Sequence, residues 1–191
     1  MAGQGGADKR REALRAKHWP KEIPWRGAGG PDKEKGWFSA LRSLPLLLAI
    51  MKDKGISRSK GDIGRVYVEL LSRQRGQGVV EMESPEVHAY ACGFRGRRGE
   101  RTWLELMGVL DKAGFIKAKP GSGKRYDVVL IVHPAVAVKR LEERIPEDLL
   151  NTYNKAQIKN GERTYEAIMG EGAEEEAAPA KVLPMKQKTK R

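Results

Sequence analysis

The sequence contains one cysteine and three histidines, and this scarcity excludes several classes of protein. The single Cys92 cannot form an intrachain disulfide, which fits a reducing cytosol. His18, His88 and His133 are scattered, and Cys92 has no partner at the spacing of a metal site. No apolar run approaches the roughly 18 residues of a membrane span, and the basic N-terminus lacks the apolar core of a secretion signal. We therefore expect a cytoplasmic protein with no metal, no cofactor and no membrane contact.

The tetrapeptide GSGK at 121–124 raises the question of a nucleotide-binding loop. Such a loop needs a glycine five residues before the Gly-Lys pair and a hydroxyl residue directly after it. The chain has Ala118 and Arg125 at those positions. His88 and Cys92 stand four residues apart, but no acid that would orient such a pair is apparent. We predict no catalytic residues and no enzyme activity, since a nuclease would also need clustered acids beside the basic residues.

Positive charge is concentrated in one part of the chain. The net charge is +12, and residues 93–125 contribute nine basic and three acidic side chains, which is +6. Half of the net charge therefore lies in these 33 residues, here called the basic stretch. Focused charge of this kind is typical of a surface that binds phosphate. The alternative interpretation is a solvated basic rim.

Periodicity and turn residues predict an α+β, mainly helical fold. Asp62 and Ser43 are predicted helix N-caps, His133 is predicted to cap a helix that starts at Pro134, and Gly114 should end a helix in the left-handed conformation. The predicted elements are helices at 44–51 and 63–75, which should pack together, a strand at 79–82, a helix at 84–92, a turn at 93–99, a helix at 100–113, strands at 115–119 and 126–132 around a loop at 120–123, and helices at 134–144 and 146–159.

The order of these elements is informative, and so is one local pattern. The run Arg101-Thr102-Trp103 is followed by an apolar stripe and then by Ala113-Gly114-Phe115-Ile116. With these features, residues 63–132 resemble a winged helix-turn-helix domain, a fold used mainly to bind DNA. In that resemblance the two helices of the motif are 84–92 and 100–113, the turn is 93–99, the wing is 115–132 and the small third strand is 79–82. The resemblance covers about 70 of the 191 residues.

The resemblance implies that the recognition helix, 100–113, enters the major groove by its N-terminal end. Arginine there can pair with guanine or hold a phosphate, and the wing contacts phosphate or the adjacent minor groove. Trp103 and Leu106 should face the core. The implied DNA-binding residues are Arg97, Arg98, Arg101, Thr102 and Glu105 beside or on the helix, and Lys117, Lys119, Gly121, Ser122, Gly123, Lys124 and Arg125 on the wing.

The predicted domains are a basic, mostly disordered arm at 1–36, a winged-helix domain at 37–144 with its core at 63–132, a C-terminal helical extension at 145–169 and a disordered charged tail at 170–191. The arm has room for a short helix at about 8–17. Trp19 and Trp25 either dock on the core or stack on a partner, and docking is favoured.

The expected function is binding of double-stranded DNA as a transcriptional regulator, or as a replication or maintenance factor of a plasmid or another mobile element. The protein would associate with the nucleoid when bound to DNA and would form a homodimer through its C-terminal helices. The alternative is a nucleic-acid scaffold without catalytic activity, whose binding would be salt-sensitive and nearly blind to sequence.

Overall fold

Apolar residues at helical spacing determine where the core forms. The computed structural model describes residues 4–22, 40–57, 62–74, 77–121 and 123–170. These residues form α1 (Gln4–His18), α2 (Leu44–Lys52), α3 (Ile63–Arg73), β1 (Val79–Glu81), α4 (Pro85–Ala91), α5 (Gly96–Lys112), β2 (Ile116–Gly121), β3 (Lys124–Ile131), α6 (Pro134–Leu141), a 3-10 turn (Glu142–Arg144) and α7 (Glu147–Lys159). A last helical segment covers 165–170. The prediction of an α+β, mainly helical fold with a small antiparallel sheet is confirmed.

The core is built around α3. Asp62 caps this helix as predicted, because its side chain accepts a hydrogen bond from the Gly64 N–H at 3.1 Å. The apolar stripe of α3 packs against α2, as predicted, and against α5 and the sheet. Ile145 and Tyr153 are buried in the same cluster. The C-terminal extension therefore shares one core with the region predicted to be the winged-helix domain.

Ser43 stands at the N-cap position of α2, but it does not cap that helix. Its backbone is in the helical region, and its side chain makes no capping hydrogen bond. The Ser43 N–H instead donates to Glu162 Oε1 at 2.9 Å, and its hydroxyl donates to Glu162 Oε2. The predicted capping role is wrong because a carboxylate that follows α7 in the chain offers both groups a charged acceptor.

The sheet has the order β1-β3-β2, so β3 is the central strand. Val129, Leu130 and Ile131 of this strand are fully buried. Both hairpin strands reach further than predicted, to Gly121 and Lys124, which pair with each other. The predicted four-residue loop is therefore wrong, and Gly123 lies in the turn that joins the two strands. Gly123 has φ +77°, which lets the chain reverse within so short a connection.

α5 begins at Gly96, earlier than the predicted start at Glu100. The glycines of the basic stretch indicated a turn, but Gly99 is buried in the first turn of α5. A Cβ at this position would stand 2.6 Å from the backbone carbonyl carbon of Phe94. Gly99 is thus needed for close packing and does not break the helix. Arg97 and Arg98 consequently lie within α5 and not in a preceding turn.

The C-terminal end of α5 is as predicted. Gly114 has φ +80°, and its N–H donates to the Asp111 carbonyl oxygen at 3.0 Å. The Phe115 N–H donates to the Leu110 carbonyl oxygen, also at 3.0 Å. These two bonds form a Schellman motif, whose left-handed position is usually occupied by glycine because glycine has no Cβ. Phe115 is fully buried, so the chain passes directly from α5 into β2.

The N-terminal arm differs from the prediction in the part that the structure describes. Residues 4–18 form a helix, longer than the one suggested at 8–17. Trp19 is buried, which confirms that it docks on the core. The disorder predicted for residues 1–36 therefore does not hold for residues 4–22. Trp25 and residues 171–191 lie outside the described residues.

Candidate nucleic-acid interface

A short connection sets α4 against α5. α4 ends at Ala91, and the Phe94 N–H donates to the Ala89 carbonyl oxygen at 2.8 Å, which directs the chain into α5. Full burial of one large apolar side chain contributes about 1.5–3 kcal/mol, so the inner face of α5 fixes how the helix is rotated. That face consists of Trp103, Leu106, Met107 and Leu110. The predicted inward orientation of Trp103 and Leu106 is confirmed, and the opposite face of α5 is open to solvent.

A line of mostly charged residues runs along the solvent face of α5. Its members are spaced by four or three residues and therefore lie on one side of the helix. The line consists of Arg97, Arg101, Glu105, Gly108 and Lys112. Arg97 and its neighbour Arg98 are exposed, and neither guanidinium has an ion-pair or hydrogen-bond partner among the described residues. The first turn of α5 thus presents two arginines with unused donors.

The next turn of α5 already contains internal contacts. Arg101 Nε is 3.0 Å from Glu105 Oε1, and the Arg101 side chain is 84% exposed. An exposed pair at this spacing stabilises a helix by only about 0.3–0.5 kcal/mol, so an anionic ligand can displace Glu105 from Arg101. Thr102 is half-buried and donates its hydroxyl to the Arg98 carbonyl oxygen at 2.9 Å. Glu105 therefore faces solvent fully, whereas Thr102 does so only in part.

One residue of the β2–β3 hairpin lies directly beside this line. The Arg125 guanidinium stands 5.3 Å from the centroid of the Tyr126 ring, a cation–π contact. A Cβ at Gly108 would lie 3.8 Å from Arg125 Nη2 and 3.6 Å from the Tyr126 hydroxyl oxygen. Tyr126 also packs edge to face on Trp103, with ring centroids 6.1 Å apart. The structure therefore places Arg125 on the surface formed by the solvent face of α5.

An acidic residue of α5, Asp111, lies beside the β2–β3 hairpin. Burial raises the pKa of the Asp111 carboxyl, while Lys117, Arg125 and a hydrogen bond from the Ala118 backbone oppose that shift. This half-buried carboxyl partly neutralises the two cations. The positive surface is therefore strongest toward the N-terminal end of α5.

The remaining lysines of the β2–β3 hairpin do not project from the sheet face that packs on α5, although the charge of Lys117 still acts against the burial that raises the pKa of Asp111 in α5. Directly opposite residues in an antiparallel pair project from the same face of the sheet. Lys117 stands opposite Leu130 and Lys119 opposite Val128, and both apolar residues belong to the face that contacts Trp19. Lys124 is half-buried, and its Nζ lies 3.5 Å from the Met82 carbonyl oxygen. The predicted site is thus divided between two faces of the sheet.

The glycines predicted for the wing tip have separate roles. Gly121 lies against the Asp127 side chain, where a Cβ would collide with the carboxylate. Gly123 is exposed, and an added Cβ there would meet no atom within 4 Å. The tip is therefore narrow and open to a partner. Ser122 lies outside the described residues.

A buried polar network beneath α5 was not predicted. His88 is fully buried, its Nε2 accepts a hydrogen bond from the Glu83 N–H at 3.0 Å, and its Nδ1 is 2.9 Å from Glu69 Oε1. Because Nε2 is the acceptor, Nδ1 carries the proton and donates to Glu69. Arg73 also donates to Glu69 and pairs with Glu83 at 2.9 Å. The network joins α3, α4 and the chain between β1 and α4.

The same network positions the recognition-helix candidate. The His88 ring stacks on Trp103 of α5, with centroids 5.2 Å apart and an interplanar angle of 16°. One signal in the sequence pointed to such a network: Glu69 falls on the buried side of the α3 stripe, where a carboxylate requires a partner. Cys92 is buried nearby, and burial, then the charge of Glu69, raises the pKa of its thiol to about 12. The thiol is therefore protonated at neutral pH.

Neither metal ligands nor apolar helices among the described residues, nor any similar protein, indicate a function for this surface. Within the described ranges, no group of three or more His, Cys, Asp and Glu side chains is placed to hold a metal ion. None of the described helices has both the length and the apolar character needed to cross a bilayer. No family model, curated protein or solved structure matches the chain significantly.

Proposed function

We propose that the protein binds double-stranded DNA through a winged helix-turn-helix unit. In this proposal α4 and α5 are the two helices of the motif, α5 is the recognition helix, and the β2–β3 hairpin is the wing. The main support is the position of Arg97 and Arg98 on the first turn of α5. Both side chains are exposed, and neither has a partner among the described residues. Arg101 on the next turn of α5 and Arg125 on the hairpin extend the same positively charged surface.

The chemistry of this surface suits the major groove. The groove is about 12 Å wide and admits an α-helix, and arginine donates two parallel hydrogen bonds to guanine O6 and N7. The first N–H groups of α5 have no partner within the helix, which favours a phosphate near Arg97 or Arg98. Once the Arg101 guanidinium no longer pairs with Glu105, it binds a base or a phosphate. The Glu105 carboxylate can then accept a hydrogen bond from a cytosine amino group.

The wing supplies a contact outside the major groove. Arg125 is held over Tyr126 beside Gly108, so it needs little ordering when it meets a phosphate. The narrow tip at Gly123 approaches the backbone or the adjacent minor groove. We assign these contacts to positioning rather than to sequence recognition, since phosphate contacts carry no direct sequence information.

In the cell, this activity would serve transcription regulation, or replication or maintenance of a plasmid or another mobile element. We propose a homodimer through the C-terminal helices, and the structure limits which residues can form it. Leu149, Leu150 and Tyr153 pack inward, whereas Ile158 is 70% exposed and Met169 is 45% exposed. A two-fold dimer would read an inverted repeat with half-sites about 34–36 Å apart or a multiple of this distance.

Selection of bound sequences from a random duplex library tests the proposal. We expect wild-type protein to recover a motif, and Arg98→Ala or Arg101→Ala to lower discrimination at one position by about 1–3 kcal/mol. Lys54→Ala, an exposed position that follows α2, is the matched control and should recover the wild-type motif. Thermal melting of each variant shows whether the fold is retained. Unchanged discrimination in the Arg98→Ala, Arg101→Ala double variant would contradict the assignment of α5.

One observation favours a second candidate function. The cations of the wing lie on both faces of the sheet, since Arg125 is on the α5 surface and Lys117 and Lys119 are on the other. Such a distribution also suits a scaffold that holds nucleic acid by its phosphates alone. In that case the selection would return no motif, and affinity would fall steeply when salt is raised from 50 to 200 mM, by about 10³–10⁵ for six to ten phosphate contacts.

A further inference from the structure

The N-terminal helix α1 is fastened to the sheet face that does not contact α5. Trp19, directly after α1, is 6% exposed and packs on Val79 and Leu130, with half-buried Val128 against the same cluster. Burial of a tryptophan removes a large apolar area from water, so this contact anchors the helix. Arg10 of α1 also lies 3.3 Å from Glu81 of β1. The arm is therefore placed by specific contacts on the outer face of the sheet.

The strand register shows which residues share this outer face. Val79, Leu130 and Lys117 form one cross-strand row, and Glu81, Val128 and Lys119 form the next. Trp19 packs on the first row, with Val128 of the second row against the same cluster, and Arg10 contacts Glu81 of the second row. Neighbouring members of a row have Cβ atoms about 4.5–5.5 Å apart. Lys117 and Lys119 therefore stand on the β2 side of the face that α1 covers.

The contacts of α1 also give its direction. The row of Glu81 and Lys119 is nearer to the hairpin tip than the row of Val79 and Lys117. Because Arg10 reaches the former row, the N-terminal half of α1 lies toward the tip of the wing. At 1.5 Å per residue, the nine residues from Arg10 to Trp19 span about 14 Å.

This face carries its own excess of positive charge. Residues 4–18 contain five basic and two acidic side chains, which is +3. Lys9 and Lys17 are exposed, and neither has an ion-pair partner among the described residues. Arg10 is 69% exposed despite its contact with Glu81. With Lys117 and Lys119, the cations of α1 form a band that we name the outer basic face.

We propose that the outer basic face is a second phosphate-binding surface, which contacts the DNA backbone on the far side of the wing. The inference rests on the proposed function. The minor groove is about 6 Å wide, so a wing that enters it has a phosphate strand on each side. Arg125 and α5 meet one strand, and the outer basic face meets the other. Because Trp19 anchors α1, the helix meets the DNA already ordered, which lowers the entropic cost of binding.

The salt dependence of DNA binding measures this surface directly. Each phosphate contact adds about 0.9 to the slope of log K against log salt, so Lys9→Gln, Lys17→Gln should lower the slope by about 1.8. Between 50 and 200 mM salt, the wild type should then lose about twelvefold more affinity than this variant. The matched control is Arg42→Gln, Lys54→Gln, which removes the same charge from exposed positions on either side of α2, away from the proposed dimer helices, and should keep the wild-type slope.

The outcomes separate this inference from the proposed function. A wild-type slope in Lys9→Gln, Lys17→Gln, with binding and motif intact, would overturn the outer basic face and leave α5 as the recognition helix. An equal drop in both double variants would also overturn it, because the effect would then follow net charge rather than position. If the wild-type chain binds no duplex DNA, both proposals fail. Both variants change exposed side chains only, and equal melting temperatures verify that folding is unaffected.

Discussion

The cap of α6 makes stability depend on pH in a defined window. His133 is buried, and its Nδ1 accepts a hydrogen bond from the Ala135 N–H at 3.2 Å, which confirms the predicted cap. Burial, and secondarily the charge of Arg163, lowers the pKa of His133 from 6.5 to about 4. The capping bond requires a neutral imidazole, since a protonated Nδ1 donates and cannot accept. The helix N-terminus also disfavours a positive charge at this place.

The sign of the effect follows from proton binding in the two states. Between pH 6.5 and about 4 the unfolded chain binds a proton at His133 and the folded chain does not. The contribution of His133 is therefore fully present above pH 6.5 and is lost as the pH falls through this window. From the two pKa values, lowering the pH from 7 to 4.5 should cost about 2 kcal/mol of the free energy of unfolding.

Urea unfolding of the wild type and of His133→Asn at pH 7 and pH 4.5 tests this reasoning. Asparagine keeps a side-chain oxygen that can cap the helix, but it does not titrate. Other groups lose stability in acid equally in both proteins, so the difference between the two isolates His133. We expect the wild type to lose about 2 kcal/mol more than the variant. An equal loss in both proteins would refute the assignment of the pH dependence to this cap.

Three further predictions concern the placement of α5. Gly99→Ala should destabilise the fold by about 1–3 kcal/mol, because its Cβ would collide with the backbone of Phe94. Gly108→Ala should instead be neutral or add up to about 1 kcal/mol in the same urea titration, since its Cβ meets only ordinary contacts and alanine favours helix. His88→Leu should cost about 1–3 kcal/mol, because Glu69 would lose a buried donor; an unchanged urea midpoint would show that the network does not hold α4 and α5.

The features that the sequence predicted well are local ones. The stripe and cap of α3 and the Schellman end of α5 depend on residues within a few positions of each other. The hairpin was found, but its strands were predicted too short, because glycine and proline near 120 indicate a loop even where pairing continues. Residues 128–132 are apolar on both faces of the strand, a pattern typical of a covered strand, and β3 is the central one.

The features that the sequence did not predict depend on distant partners. Ser43 bonds to Glu162, and Glu69 meets His88, across 119 and 19 positions of the chain. Local patterns carry no information on such pairs. The division of the candidate site has the same cause, since only the register shows that Lys117 and Lys119 face Trp19 and not α5.

The first turn of α5 runs against the usual electrostatics of helices. Acidic residues stabilise a helix N-terminus and cations oppose it, each by about 0.3–1 kcal/mol. α4 and α7 follow this rule with acids in their first turns, and in α3 Arg65 is balanced by Asp62 at 3.4 Å. The first turn of α5 has no acid and carries two arginines.

Two glycines, at 96 and 99, further weaken this end of α5 as an isolated helix. The packing of Trp103 on His88 and of Gly99 on Phe94 must therefore hold the arginines in place. Functional sites often break the local rules of helix stability, and packing against the core compensates for the cost. The unfavourable charge of this turn is relieved when an anion binds, so under the proposed function DNA should stabilise the first turn of α5.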